Sequence, residues 1–147
     1  LSWVPEMVKG RTIEEVGDKY EGDLLEEGAM DLHVRWEQAV HKADLAVNDA
    51  DPEAMAHVSY GDISVDDYLR QVGGDLLIHA WDLGQAIAIP VRFAPDVAQV
   101  VYERTLPRKK ELAASGLFAP AIKVPESADL QTKLLALFGR HVDWRAM

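Results

Sequence analysis

Between Val65 and Ile87 the chain spells a helix that is apolar on nearly every side. Leu69, Val72, Leu76, His79, Leu83 and Ala86 recur at steps of three and four and form one stripe. Leu77, Ile78, Ala80, Trp81 and Ile87 make the remaining faces apolar as well. A helix without a polar side belongs at the centre of a packed assembly, so the fold is expected to be mostly helical and built around this element. Ser64 suits the N-cap, Asp66 and Asp67 favour the helix dipole in the first turn, and Pro90 closes the run. The stripe through Leu76, His79 and Leu83 is expected to face the core, with His79 as its one polar member.

The other elements follow from punctuation. Lys9-Gly10 stops a short apolar start, Thr12 can cap one helical turn, and Gly17, Gly22 and Gly28 mark a segment with little regular structure. A helix is predicted from Ala29 to Asn48, with Ala29, Trp36, Val40, Ala43, Val47 and Ala50 as its inner face and Asp51-Pro52 as its stop. Alternation around Ala56 and Val58 predicts a short strand that leads into a turn at Gly61-Asp62. A helix opening at Ala94-Pro95-Asp96 meets Pro107 and continues with a kink to Ala114, ended by Ser115-Gly116. Leu117 to Pro125 should lie extended, and Leu130 to Phe138 forms a last helix stopped by Gly139.

The length of 147 residues fits one domain, 1–147, with one core. A formal charge of −10 argues against nucleic acid and anionic membranes as partners. The absence of cysteine excludes disulfides, thiolate zinc sites and a cysteine nucleophile. No apolar run is long enough to span a bilayer, and Leu1 to Pro5 has no basic start like that of a signal peptide, so a cytoplasmic protein is expected. A first residue other than Met suggests that the N-terminus has been processed or trimmed.

Asp75, His79 and Asp82 stand four and three residues apart on the central helix. At about 100° per residue, Asp75 and His79 are ~40° apart around the axis and roughly 6 Å apart along it. Two readings stay open on that spacing. The pair can supply two ligands to a divalent metal, as inward carboxylates and histidines do in helical bundles. It can equally be an intrahelical hydrogen-bonded pair, which such a spacing more commonly is. Asp82 fits better behind the histidine, or against an arginine, than as a third ligand. His33, Glu37 and His41 share a similar spacing but lie off their helix's apolar stripe, on a solvated face; His57 and His141 have no nearby pattern. Val72-Gly73-Gly74-Asp75 lies inside a helix and is no phosphate cradle, so its glycines are read as space for a close helix or a ligand.

The segment DLLIHAWDL from Asp75 to Leu83 resembles a signature of the DinB-like superfamily, in the branch that includes mycothiol-dependent maleylpyruvate isomerases. WVP at 3–5, GRTI at 10–13, VGD at 16–18, HVSYGD at 57–62, GLFAP at 116–120 and FGR at 138–140 resemble actinobacterial members of that branch. The resemblance implies an up-down helical bundle with a short extended segment and a C-terminal tail packed on it. It implies a divalent metal, zinc or nickel, held by Asp75 and His79 and by a histidine from an earlier helix. That helix would lie upstream of Leu1. The isomerases carry Glu where Asp75 stands, which shortens the reach to the metal. It also implies a small thiol such as mycothiol as co-substrate, activated by the metal.

Three functions are therefore weighed. The first is a metal-dependent transferase or isomerase that adds a small thiol to a small electrophilic substrate. The second is a non-catalytic bundle that binds a small molecule or forms a homodimer, with Asp75 and His79 purely structural. In the third, the chain needs a partner segment to complete its bundle.

Overall fold

The computed structural model describes residues 1–22 and 31–142, and the protein is mostly helical, as expected. The chain forms two compact units, Leu1–Leu69 and Arg70–Met147. The helix Val65–Ala86 (α4) crosses the divide between them. The expected roles of Gly28 and Ala29 lie outside the described residues.

In the first unit, α1 is the single turn Val4–Met7, whose Val4 and Met7 are buried. Thr12 caps α2, Ile13–Val16, through a reciprocal pair of bonds: Glu15 N–H donates to Thr12 Oγ1 at 3.2 Å, and Thr12 N–H donates to Glu15 Oε2 at 2.9 Å. Glu6 ties this region together by pairing with Lys19, accepting from the Tyr20 hydroxyl at 3.1 Å and facing Arg11 at 3.6 Å. The Lys19 hydrogen bond leads the effects that hold the Glu6 carboxyl below its ordinary range, against a smaller upward pull from burial.

Asp31 caps α3, Leu32–Asn48, by accepting from His33 N–H at 2.8 Å. The expected inner face of this helix is a correction. Ala43 is buried, but Trp36, Val40 and Val47 stay 55%, 39% and 38% exposed. The reason is length. The helix that packs on α3 is α1, and four residues span only about 6 Å against roughly 25 Å for seventeen.

The predicted strand is one arm of a hairpin. β1, Met55–Val58, pairs antiparallel with β2, Gly61–Ser64, and His57 stands opposite Asp62. The turn is therefore Ser59-Tyr60, and Gly61-Asp62 belongs to the second strand. Ala56 and Val65 are completely buried, and Ser64 Oγ accepts from Asp67 N–H at 3.1 Å, the expected N-cap of α4.

The second unit is organised around the inner face of α4. Its core joins Ile78 and Trp81 with Phe93, Ala98, Leu134, Leu135, Leu137 and Phe138. α5, Pro95–Thr105, runs through a 3-10 turn at Leu106–Arg108 into α6, Lys109–Ala114, so Pro107 bends the chain where expected. α7, Leu130–Leu137, packs on α5; Asp129 caps it by accepting from Thr132 N–H at 2.8 Å. The side-chain amide of Gln131 accepts from Phe93 N–H at 2.9 Å and donates to the Val91 carbonyl at 3.0 Å. In the extended stretch before α7, Ile122 N–H donates to the Ala136 carbonyl at 2.8 Å.

The direction in which α4 faces overturns the expected stripe. Leu76, Leu83 and Ile87 are 38%, 62% and 54% exposed, while Ile78 is completely buried and Trp81 nearly so. Once both faces are apolar, steric fit decides between them. Gly74 lies on the face of Ile78 and Trp81, and a Cβ there would stand 3.4 Å from Val101 of α5. The smooth side of the helix thus lets its neighbour approach, and the bulky indole fills the space beside it. No helix among the described residues is long and apolar enough to cross a membrane.

Candidate functional site

α4 places Asp75, His79 and Asp82 on one flank, and α7 with its following turn brings up Arg140. The chain reverses at Gly139, whose φ of 75° suits glycine, while the Arg140 N–H donates back to the Leu135 carbonyl at 2.9 Å. That reversal aims the guanidinium at Asp82, with Nε donating to Oδ1 at 3.1 Å and Nη2 donating to Oδ2 at 2.7 Å. Nη1 donates to the Phe138 carbonyl at 2.8 Å, and the guanidinium carbon lies 5.6 Å from the centre of the Phe118 ring.

His79 lies between two carboxylates. Its Nδ1 is 3.4 Å from Asp82 Oδ2 and its Nε2 is 3.5 Å from Asp75 Oδ2. Burial pulls the Asp82 carboxyl upward, but the hydrogen bond and charge of Arg140, aided by His79, hold it below its ordinary range. Asp82 is therefore a carboxylate at neutral pH, and the arginine partner expected for it is Arg140.

The expected burial of His79 is corrected. Its side chain is 59% exposed and that of Asp75 is 51% exposed, because they share the flank of Leu76 and Leu83 that turned away from the core. The buried setting expected to force these two groups onto a partner is therefore absent, and what remains is their spacing. Two donor atoms each about 2.05 Å from a tetrahedral ion stand roughly 3.3–3.4 Å apart, close to the observed 3.5 Å between Nε2 and Oδ2. An imidazole and a carboxylate with that bite suit a borderline divalent ion as a two-point chelate. Among the described residues no group of three His, Asp or Glu side chains could hold a metal ion.

The remaining histidines fall as the spacing suggests, with one exception. His33 Nε2 lies 3.3 Å from Glu37 Oε1 on an open face, with side chains 76% and 63% exposed. His57 does have a partner: its Nδ1 is 2.7 Å from Asp62 Oδ1 across the hairpin. The signal was the five-residue separation, which a two-residue turn converts into a directly opposed pair. Arg140 was also missed as a site residue, although its place after the Phe138-Gly139 stop was a usable clue. A hollow of about 1160 Å³ lies along α1 and α3 beside Lys9, Lys19, Tyr20, Trp36 and Lys42 and contains none of the expected site residues.

No family model matches the chain, and no curated protein and no solved structure shows significant similarity to it.

Proposed function

We propose that the protein is a metal-dependent transferase or isomerase of the DinB-like kind that joins a small thiol to a small electrophilic substrate in the cytoplasm. Asp75 and His79 hold a divalent ion, zinc or nickel, with at least one further ligand from outside the described residues. The observation that carries the reading is the environment of His79. One ring nitrogen faces Asp75 at chelate separation, and the other faces an Asp82 fixed by an arginine. Metal-binding histidines commonly place a carboxylate behind the ring in this way. Bound there, the ion would lower the pKa of a thiol such as mycothiol and so supply the nucleophile. Asp75 contributes negative charge toward the cation, Asp82 fixes the ring, and Leu76 and Leu83 offer apolar surface beside the pair.

The openness of the pair favours a second reading, in which α4 presents an apolar face for a second copy or a small molecule and the ionic residues are structural. Metal analysis separates the two. The first reading expects bound zinc or nickel near one equivalent, lost in a folded His79→Ala variant. Metal-free protein that also fails to take up added nickel would overturn it in favour of the second.

A further inference from the structure

We propose that the hollow along α1 and α3 binds a medium-chain carboxylate, with the tail along α3 and the head held by Lys9 and Lys42. The site involves neither Asp75 nor His79, so it stands or falls independently of the metal reading. At about 1160 Å³ the hollow has ample room for such a ligand. Its shape comes from uneven neighbours. Val8, just after α1, is buried, and Ala39 and Ala46 give this side of α3 only small side chains. Leu32, Trp36 and Leu45 line the same hollow and stay 66%, 55% and 57% exposed, which leaves a trough with apolar walls.

Charge decides what the trough can hold. In a chain of formal charge −10, Lys9, Lys19, Arg35 and Lys42 line it against the carboxylates of Glu6 and Asp49. Glu6 is already engaged by Lys19 and the Tyr20 hydroxyl. Asp49 stands seven positions beyond Lys42, roughly 10 Å further along the helix. Among the described residues Lys9 and Lys42 pair with no carboxylate, so they are the cations left to meet an anion from outside. In the opposite direction from Lys42, Ala39, Trp36 and Leu32 carry the apolar wall about 15 Å, the reach of an extended dodecyl chain. An anion with an apolar tail satisfies both the lysines and the wall, whereas a cation of equal length would meet like charge.

The probe is dodecanoate, titrated calorimetrically into the full chain well below its micelle concentration. Wild type is expected to show a single saturable site. The Trp36 indole N–H resonance, assigned from Trp36→Phe, should move in step while that of the buried Trp81 does not. Lys9→Gln/Lys42→Gln should bind about tenfold more weakly at low salt, through lost charge-assisted contacts, and added salt should narrow the gap. Ala46→Phe, which fills the trough, should weaken binding with every lysine in place. Dodecyltrimethylammonium, equal in tail and opposite in charge, should bind more weakly than dodecanoate. No saturable binding, equal affinity for the two amphiphiles, or unchanged affinity in a folded Lys9→Gln/Lys42→Gln would overturn the proposal. So would a dimer in solution that buries Trp36 and excludes dodecanoate, because the occupant would then be a second copy. Should the double variant fail to fold, the comparison of the two amphiphiles on wild type carries the decision.

Discussion

Tyr68, on the first turns of α4, shows how burial changes a side chain's chemistry. Burial, with a smaller contribution from the neighbouring Tyr60, pushes its ionisation up to about 12. A folded value above the ordinary ~10 means that the stability associated with the protonated phenol is complete below about pH 10 and is lost as pH rises through about 12. Tyrosinate absorbance should therefore show one tyrosine ionising last, and Tyr68→Phe should remove that step and soften alkaline unfolding. Asp82 gives the opposite sign. Its carboxyl is held low, so its contribution is present above the ordinary value of ~3.9 and disappears as pH falls through the folded one. Arg140→Met should thus be less stable than wild type at neutral pH, with the gap narrowing in denaturant melts as pH is lowered through the folded value of Asp82. An arginine partner for Asp82 was readable from a carboxylate on an apolar helix. The identity of that arginine was not, because the contact joins positions far apart in the chain.

Among the elements, α4 was the most legible in extent and the least legible in orientation. Its start at Ser64 and its length followed from capping and periodicity, which are local. Its inward face depended on which neighbours could come close, and that is settled by partners remote in sequence. Gly73 and Gly74 were legible as space for a close helix or a ligand, but not which face that space served. A Cβ at Gly84 would stand 2.4 Å from Val91 Cγ2 and 2.7 Å from the Ile89 carbonyl, whereas one at Gly73 would meet nothing within 4 Å. Gly84→Ala should cost about 1–3 kcal/mol through overpacking, despite alanine's better helix propensity. Gly73→Ala should gain about 0.5–1 kcal/mol. Urea midpoints of the two variants, moving in opposite directions, check both. The capping box of α2 is a separate test: Thr12→Ala should lose about 1 kcal/mol in the same melts.

For the whole molecule, the predominantly helical class followed from pattern, while the hairpin's second arm did not, since four residues with Gly61-Asp62 at their head read as a turn. The two faces of α4 make the sharpest contrast in stability. Ile78→Ala removes a completely buried side chain and should cost about 2–5 kcal/mol. Leu83→Gln, on the open flank, should shift thermal melting by less than about 0.5 kcal/mol. The Gln131 amide also matters at this scale. It satisfies an N–H and a carbonyl of the strandless stretch between α4 and α5, as a neighbouring peptide group would. A glutamate of the same shape could still receive the Phe93 hydrogen, but it would set a lone pair against the Val91 oxygen. That one-atom exchange should unfasten the connecting stretch and leave both flanking helices intact, with faster deuterium uptake confined to residues 91–93.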